Sequence, residues 1–71
     1  MNNEMAEIIL EDLIESCRNS VISVKVWKRY CELFKGVNIS VETLLSFLRK
    51  KNIEKEVKDE VEFLLLEETV W

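Results

Sequence analysis

The chain has 71 residues with 14 acidic and 10 basic side chains, which give it a net charge of −4 at neutral pH. This length allows one small domain, whose core is marginal unless disulfides, a metal, tight helix packing or a partner supports it. With no histidine and two cysteines, the chain lacks the ligands of a structural zinc site. One glycine and no histidine also argue against a phosphate loop, a Cys–His nucleophile and proton transfer near neutral pH. We therefore expect no enzyme activity and no cofactor.

The composition favours helices, because the chain has no proline, one glycine and many Leu, Glu and Lys residues. Apolar residues recur at helical spacing along most of the sequence. These features predict an all-α fold, a small bundle of three to four short amphipathic helices in a single domain over residues 1–71. The predicted helices span about residues 3–18, 21–35, 41–51 and 54–69.

The first segment carries an apolar stripe opposite an acidic face, and the stripe comprises Met5, Ile8, Ile9, Leu10, Leu13, Ile14 and Cys17. Residues 19–23 (NSVIS) then interrupt the pattern, because Asn and Ser favour helix caps and β-branched residues weaken helices. Either Ser20 or Ser23 could cap a second helix. The sequence leaves open whether the first two segments form one helix or two.

Residues 24–34 hold half of the six aromatic side chains, namely Trp27, Tyr30 and Phe34. Their helical spacing predicts a central helix that anchors the core, with Tyr30 as the ring that reaches the surface and keeps its hydroxyl in water. The only glycine, Gly36, follows this segment and is predicted to end the helix in the left-handed conformation.

The third and fourth segments complete the predicted core. Ser40 is the expected N-cap of the third helix, with Ile39 and Leu44 at the spacing of a hydrophobic staple. The expected core residues are Trp27, Phe34, Leu44, Leu48, Val61 and Leu65. A second apolar line on the fourth segment (Phe63, Leu66, Val70) exceeds what one neighbouring helix can cover. The terminal Trp71 either packs on the bundle or is available to a partner.

Charge is distributed unevenly along the chain. Residues 1–17 carry a net charge of −5, residues 18–51 carry +6 and residues 52–71 carry −5. One interpretation is that acidic outer helices pack beside basic inner helices, within one chain or across a dimer. The other is a helix-turn-helix that binds DNA through residues 18–51, with Ser40 to Lys51 as the reading helix. The candidate contacts for DNA are Lys28, Arg29, Thr43, Ser46, Arg49, Lys50 and Lys51.

We expect a small protein-binding regulator or adaptor that presents helical surfaces and associates with itself as a homodimer. The high apolar content, 48%, supports this, since a compact bundle of this size has trouble covering it. The candidate partner-binding residues are Trp27, Tyr30, Phe63, Leu66 and Trp71. DNA binding is the alternative.

Two further expectations concern partners and location. The acidic faces could contact a basic partner surface as a nucleic-acid mimic, through Glu11, Glu15, Glu60 and Glu62. The apolar runs are too short to span a membrane. The start of the chain lacks the pattern of a secretory leader. We therefore expect a cytoplasmic protein without a membrane partner, in which Cys17 and Cys31 are buried thiols, although a disulfide between them remains an alternative.

Overall fold

The computed structural model describes residues 3–69 and Trp71, and this part of the chain folds into four α-helices. The helices are α1 (Asn3–Asn19), α2 (Val24–Gly36), α3 (Val41–Arg49) and α4 (Lys55–Glu67). The described residues include no strand. The prediction of a small all-α bundle is confirmed. The bundle extends 29 × 27 × 19 Å along its principal axes.

The helix that lies at the centre of the bundle is α1. It contacts α2, α3 and α4, and α3 also contacts α4, whereas the backbone of α2 approaches only α1. The prediction that α2 forms the centre is therefore wrong. The reason is that α1 is the longest helix and buries a longer stripe, which comprises Ala6, Ile9, Leu10, Leu13, Ile14 and Cys17.

The predicted core is confirmed by the burial of its side chains. All six expected residues are less than 5% exposed: Trp27, Phe34, Leu44, Leu48, Val61 and Leu65. Two members of the predicted α1 stripe lie outside the core, since Met5 is 44% and Ile8 is 63% exposed. Ala6, which lies between them in the sequence, is fully buried, so Met5 and Ile8 are exposed because they lie on the side of α1 that faces away from the bundle.

The first two segments are separate helices. Ser23 has an extended backbone, and its Oγ accepts a hydrogen bond from the Val26 amide at 3.2 Å. This N-cap starts α2 at Val24, three residues later than the predicted start at residue 21. Val21 thereby falls in the connection, where its side chain is 87% exposed.

The end of α2 differs from the sequence prediction at Gly36. Gly36 is the last helical residue, and the left-handed residue is Asn38, with φ of 57°. The Asn38 amide donates to the Lys35 carbonyl at 3.1 Å, and the Ile39 amide donates to the Phe34 carbonyl at 3.5 Å. These two bonds form a Schellman motif, with Asn38 where glycine is commonest. Ile39 and Phe34 are both buried at this corner.

The N-cap of α3 is Ser40, as predicted, since its Oγ accepts from the Thr43 amide at 3.1 Å. The helix ends at Arg49 rather than at residue 51, because the Lys50 and Lys51 amides bond to carbonyls three residues back. The N-cap position of α4, Glu54, makes no side-chain cap bond. The second apolar line predicted for α4 includes Val70, which lies outside the described residues.

Candidate protein-interaction surface

A groove separates α2 from α4, because these two helices have no direct backbone contact. We call it the α2–α4 groove, and it has a volume of about 420 Å³. Its lining comprises Ile22, Ser23, Val24, Trp27, Lys28, Phe63, Leu64 and Glu68. Most of these side chains are apolar, and two of them are largely open to solvent: Val24 is 71% and Phe63 is 55% exposed.

Phe63 connects the groove to the outer face of α4. It lines a second depression there, together with Leu66, which is 52% exposed, and with three acids. These acids are Asp59, Glu62 and Glu67. The exposed apolar surface therefore runs from the start of α2 across the groove to the C-terminal half of α4. Contiguous patches of this kind mark interaction sites more often than scattered apolar residues do.

Phe63 and Leu66 are among the partner-binding candidates that the sequence suggests, whereas Val24 is not. Val24 precedes Trp27 by three positions, so helical periodicity alone places it on the same face as Trp27 and Phe34. The structure places Val24 at the first position of α2, beyond the point where α1 covers the helix. The Ser23 cap is the signal that could have located it, since it fixes where α2 begins.

Both tryptophans hold the C-terminal residues against α2. Trp27 is 4% exposed, and its indole N–H donates to the backbone carbonyl of Glu68 at 2.8 Å. Trp71 is partly buried, with its ring centroid 5.6 Å from that of Phe34 and 6.4 Å from that of Trp27. Its indole N–H donates to the Ile39 carbonyl at 3.3 Å. Trp27 forms one wall of the α2–α4 groove, while Trp71 packs on the bundle.

Tyr30 lies between α1 and α2 and is 7% exposed. Its hydroxyl donates to Asp12 Oδ2 at 2.6 Å and lies 2.8 Å from Ser16 Oγ. Burial, together with the bond to Asp12, raises the pKa of Tyr30 above its ordinary value. The hydroxyl was expected in water, but it is used within the chain because two polar residues of α1 face it. Tyr30 therefore offers little area to a partner.

Ion pairs link the basic inner segment to the acidic outer helices. Arg18 contacts Glu15 at 2.7 Å and Glu54 at 2.9 Å, which joins the end of α1 to the start of α4. Hydrogen bonds from Arg18 also hold the pKa of Glu54 below its ordinary value. Two further cations repeat the pattern: Lys51 lies 3.1 Å from Glu11, and Arg49 lies 3.7 Å from Glu62. Charge complementarity within the chain accounts for these three basic residues.

These pairs also bear on the acids considered for nucleic-acid mimicry. Glu11, Glu15 and Glu62 are engaged by cations of the same chain. The fourth, Glu60, lies beside Cys17; burial of this thiol, reinforced by Glu60, raises the pKa of Cys17 to about 11. Charge reversal at any of these four acids would therefore change contacts within the chain as well as contacts with a partner. Cys17 and Cys31 are both buried and form no disulfide.

The residues of the helix-turn-helix alternative lie on two helices that have no close backbone contact with each other. Lys28 and Arg29 are on α2 and the rest are on or just after α3, whereas the two helices of a helix-turn-helix are in contact. Thr43 Oγ1 is 2.8 Å from Ser40 Oγ. Arg49 and Lys51 are ion-paired, and the remaining four candidates are exposed: Lys28, Arg29, Ser46 and Lys50.

Among residues 3–69 and Trp71, no three acidic or cysteine side chains are grouped so that they could hold a metal ion. Within the same described ranges, no helix combines the length and hydropathy needed to span a bilayer. No known protein family, curated protein or solved structure matches the chain.

Proposed function

We propose that this chain is a small non-enzymatic regulator or adaptor that binds another protein chain through the α2–α4 groove and the adjoining face of α4. The observation that carries the proposal is the concentration of exposed apolar side chains at one place. Val24, Phe63 and Leu66 are each more than half exposed; Val24 and Phe63 line the apolar groove, and Leu66 adjoins Phe63 on the outer face of α4. Large side chains around a groove are the usual anchors of protein interfaces.

The mechanism is occlusion or bridging by surface contact. A partner helix or loop seats apolar side chains in the groove and covers Phe63. The charged residues at the edges, Lys28 on α2 and Glu67 on α4, fix its orientation. The proposal includes a cytoplasmic location, which two buried cysteines without a disulfide support, since reduced thiols are typical of that compartment. It also includes self-association of the chain.

Site-specific photocrosslinking tests the proposal. A photoreactive phenylalanine analogue at position 63 should form an adduct with a second polypeptide, and Leu66→Glu in the same chain should abolish the adduct. The matched control carries the analogue at Ile8, which is 63% exposed against 55% for Phe63 but does not line the groove. Equal yields at positions 63 and 8 would show that the groove has no special affinity for proteins and would refute the proposal.

DNA binding through the basic segment 18–51 is the second candidate function. It is favoured by the exposed cations of α2, since Lys25, Lys28, Arg29 and Lys35 make no ion pair within the described chain. Titration of a labelled duplex at two salt concentrations tests it. If DNA binding is the function, affinity should fall steeply with salt, and Lys28→Glu and Lys50→Glu should both weaken it. Binding that ignores these substitutions would exclude this candidate.

A further inference from the structure

Two helix ends of this protein carry charges that oppose the helix dipole. A helix favours acids in its first turn and bases in its last. Six of the eight helix ends in the described chain follow this rule. The start of α2 has no acid and carries Lys25, and the end of α4 has no base and carries Glu67.

Both of these ends lie at the α2–α4 groove. Lys28, one turn after Lys25, and Glu68, directly after Glu67, line opposite sides of it. None of these four side chains makes an ion pair within residues 3–69 and Trp71. Three other cations of the basic segment do find internal partners: Arg18, Arg49 and Lys51. A local rule broken without internal compensation, at an exposed apolar groove, indicates a site used by a partner.

We propose that this partner is a second copy of the chain, joined about a twofold axis so that α2 of each copy packs on α4 of the other. This inference rests on the proposed role of the groove in protein binding. The charges of the two helices support this arrangement. Helix α2 carries four bases and one acid, a net charge of +3, and α4 carries five acids and two bases, a net charge of −3. Each copy thus supplies both complementary faces, as a twofold interface requires.

Charge also selects this arrangement among those that would bury the apolar surface. Packing α4 on α4 of the second copy would cover Phe63 and Leu66 but would bring acidic faces together. Packing α2 on α2 would set lysines against lysines. Only α2 against α4 places Lys25 and Lys28 beside the partner's Glu67 and Glu68, while Phe63 of each copy enters the groove of the other. The contacts would also neutralise the two helix ends that oppose the dipole.

A charge exchange tests the arrangement. One variant carries Lys25→Glu with Lys28→Glu, and the other carries Glu67→Lys with Glu68→Lys. Each alone sets like charges across both α2–α4 contacts, so its dimer dissociation constant at low salt should rise about tenfold or more over wild type. When the two variants are mixed, one contact has exchanged charges and the other is wild type, so both attract. The mixture should form 1:1 heterodimers with a dissociation constant within about threefold of wild type.

Sedimentation equilibrium over a concentration series gives the dissociation constants, and native mass spectrometry identifies the heterodimer by its mass. Both variants suit the helix dipole better than wild type, so each should keep its helical circular dichroism as a monomer. Crosslinking gives a reading that does not depend on these variants. The photoreactive analogue at position 63 in isotopically labelled wild-type chain should attach to residues 21–28 of an unlabelled copy.

Three results would overturn the proposed dimer: a wild-type chain that stays monomeric at millimolar concentration, a dimer unchanged by both variants, or a mixture that does not restore association. None of them decides the broader proposal. In each case, an adduct at position 63 with a different protein would still support the groove as a binding surface, and its absence would remove both proposals.

Discussion

Trp27 donates its indole N–H to the backbone carbonyl oxygen of Glu68 at 2.8 Å, although the two residues are 41 positions apart. This carbonyl follows α4, where helix ends leave acceptors without a partner. The bond joins α2 to the end of α4 on one side of the α2–α4 groove. It therefore satisfies a helix end and sets the shape of the candidate site at the same time.

We expect Trp27→Phe to lower the free energy of unfolding by about 2–3 kcal/mol, because it removes this bond and part of a buried ring. Chemical denaturation measures the loss. Trp71→Phe is the matched control, since its indole bond to Ile39 is longer, at 3.3 Å, and its ring is only partly buried. Trp71→Phe should therefore lower the free energy of unfolding by less than Trp27→Phe does. A larger loss for Trp71→Phe would show that Trp71, rather than Trp27, contributes more to holding the C-terminal residues against α2.

Gly36 and Asn38 give a paired prediction at the end of α2. Gly36 is helical, and nothing lies within 4 Å of a Cβ added there, so Gly36→Ala should raise the free energy of unfolding by about 0.5–1 kcal/mol. Asn38 is left-handed, with φ of 57°, so Asn38→Ala should lower it by about 1 kcal/mol. Asn38→Gly should be neutral or stabilising. Thermal and denaturant unfolding measure these changes. A destabilised Gly36→Ala variant would show that the glycine, rather than Asn38, is left-handed.

Tyr30→Phe separates a structural role from a binding role. The substitution keeps the buried ring but removes the hydrogen bond to Asp12 at 2.6 Å, so the free energy of unfolding should fall by about 1–2 kcal/mol. Because Tyr30 is buried, the yield of the crosslink from position 63 should not change. Leu66→Glu is the complementary variant, which should abolish the crosslink with little effect on stability, since Leu66 is 52% exposed. A Tyr30→Phe chain that folds but fails to crosslink would show that the Tyr30 hydroxyl contributes to partner binding.

The raised pKa of the Cys17 thiol predicts that the folded chain loses stability at high pH. Its pKa is about 11 in the folded chain against 9.0 as the ordinary value, so the folded state holds the proton more tightly. This contribution is fully present below pH 9 and is lost as the pH rises from about 9 to 11, by up to about 2–3 kcal/mol.

Urea unfolding at pH 7, 9 and 11 measures this dependence, and Cys17→Ala provides the reference. Tyr30 also titrates at high pH in both proteins, so only the difference between the two curves reports on Cys17. The difference should shrink above pH 9. A constant difference across this range would contradict the raised pKa.

The helices and most of the core follow from local sequence patterns. The spacing of the buried leucines and valines is helical, as at Leu44, Leu48, Val61 and Leu65. Ser40 stands directly before an apolar run. Residues close together in the chain therefore predict these helices and their buried faces. Such signals act over one or two helical turns, because capping bonds and side-chain stripes join residues three or four positions apart.

How the helices meet depends on contacts between residues that are far apart in the chain. The bond from Trp27 to Glu68 and the ion pair between Arg18 and Glu54 join residues 41 and 36 positions apart, and neither leaves a local pattern. Which apolar stripe lies at the centre depends on how all four helices pack together. The stripe of α1 takes this position because α1 buries more residues than any other helix. The same docking leaves α2 and α4 apart, so the groove and its exposed Val24 follow from packing rather than from any single segment.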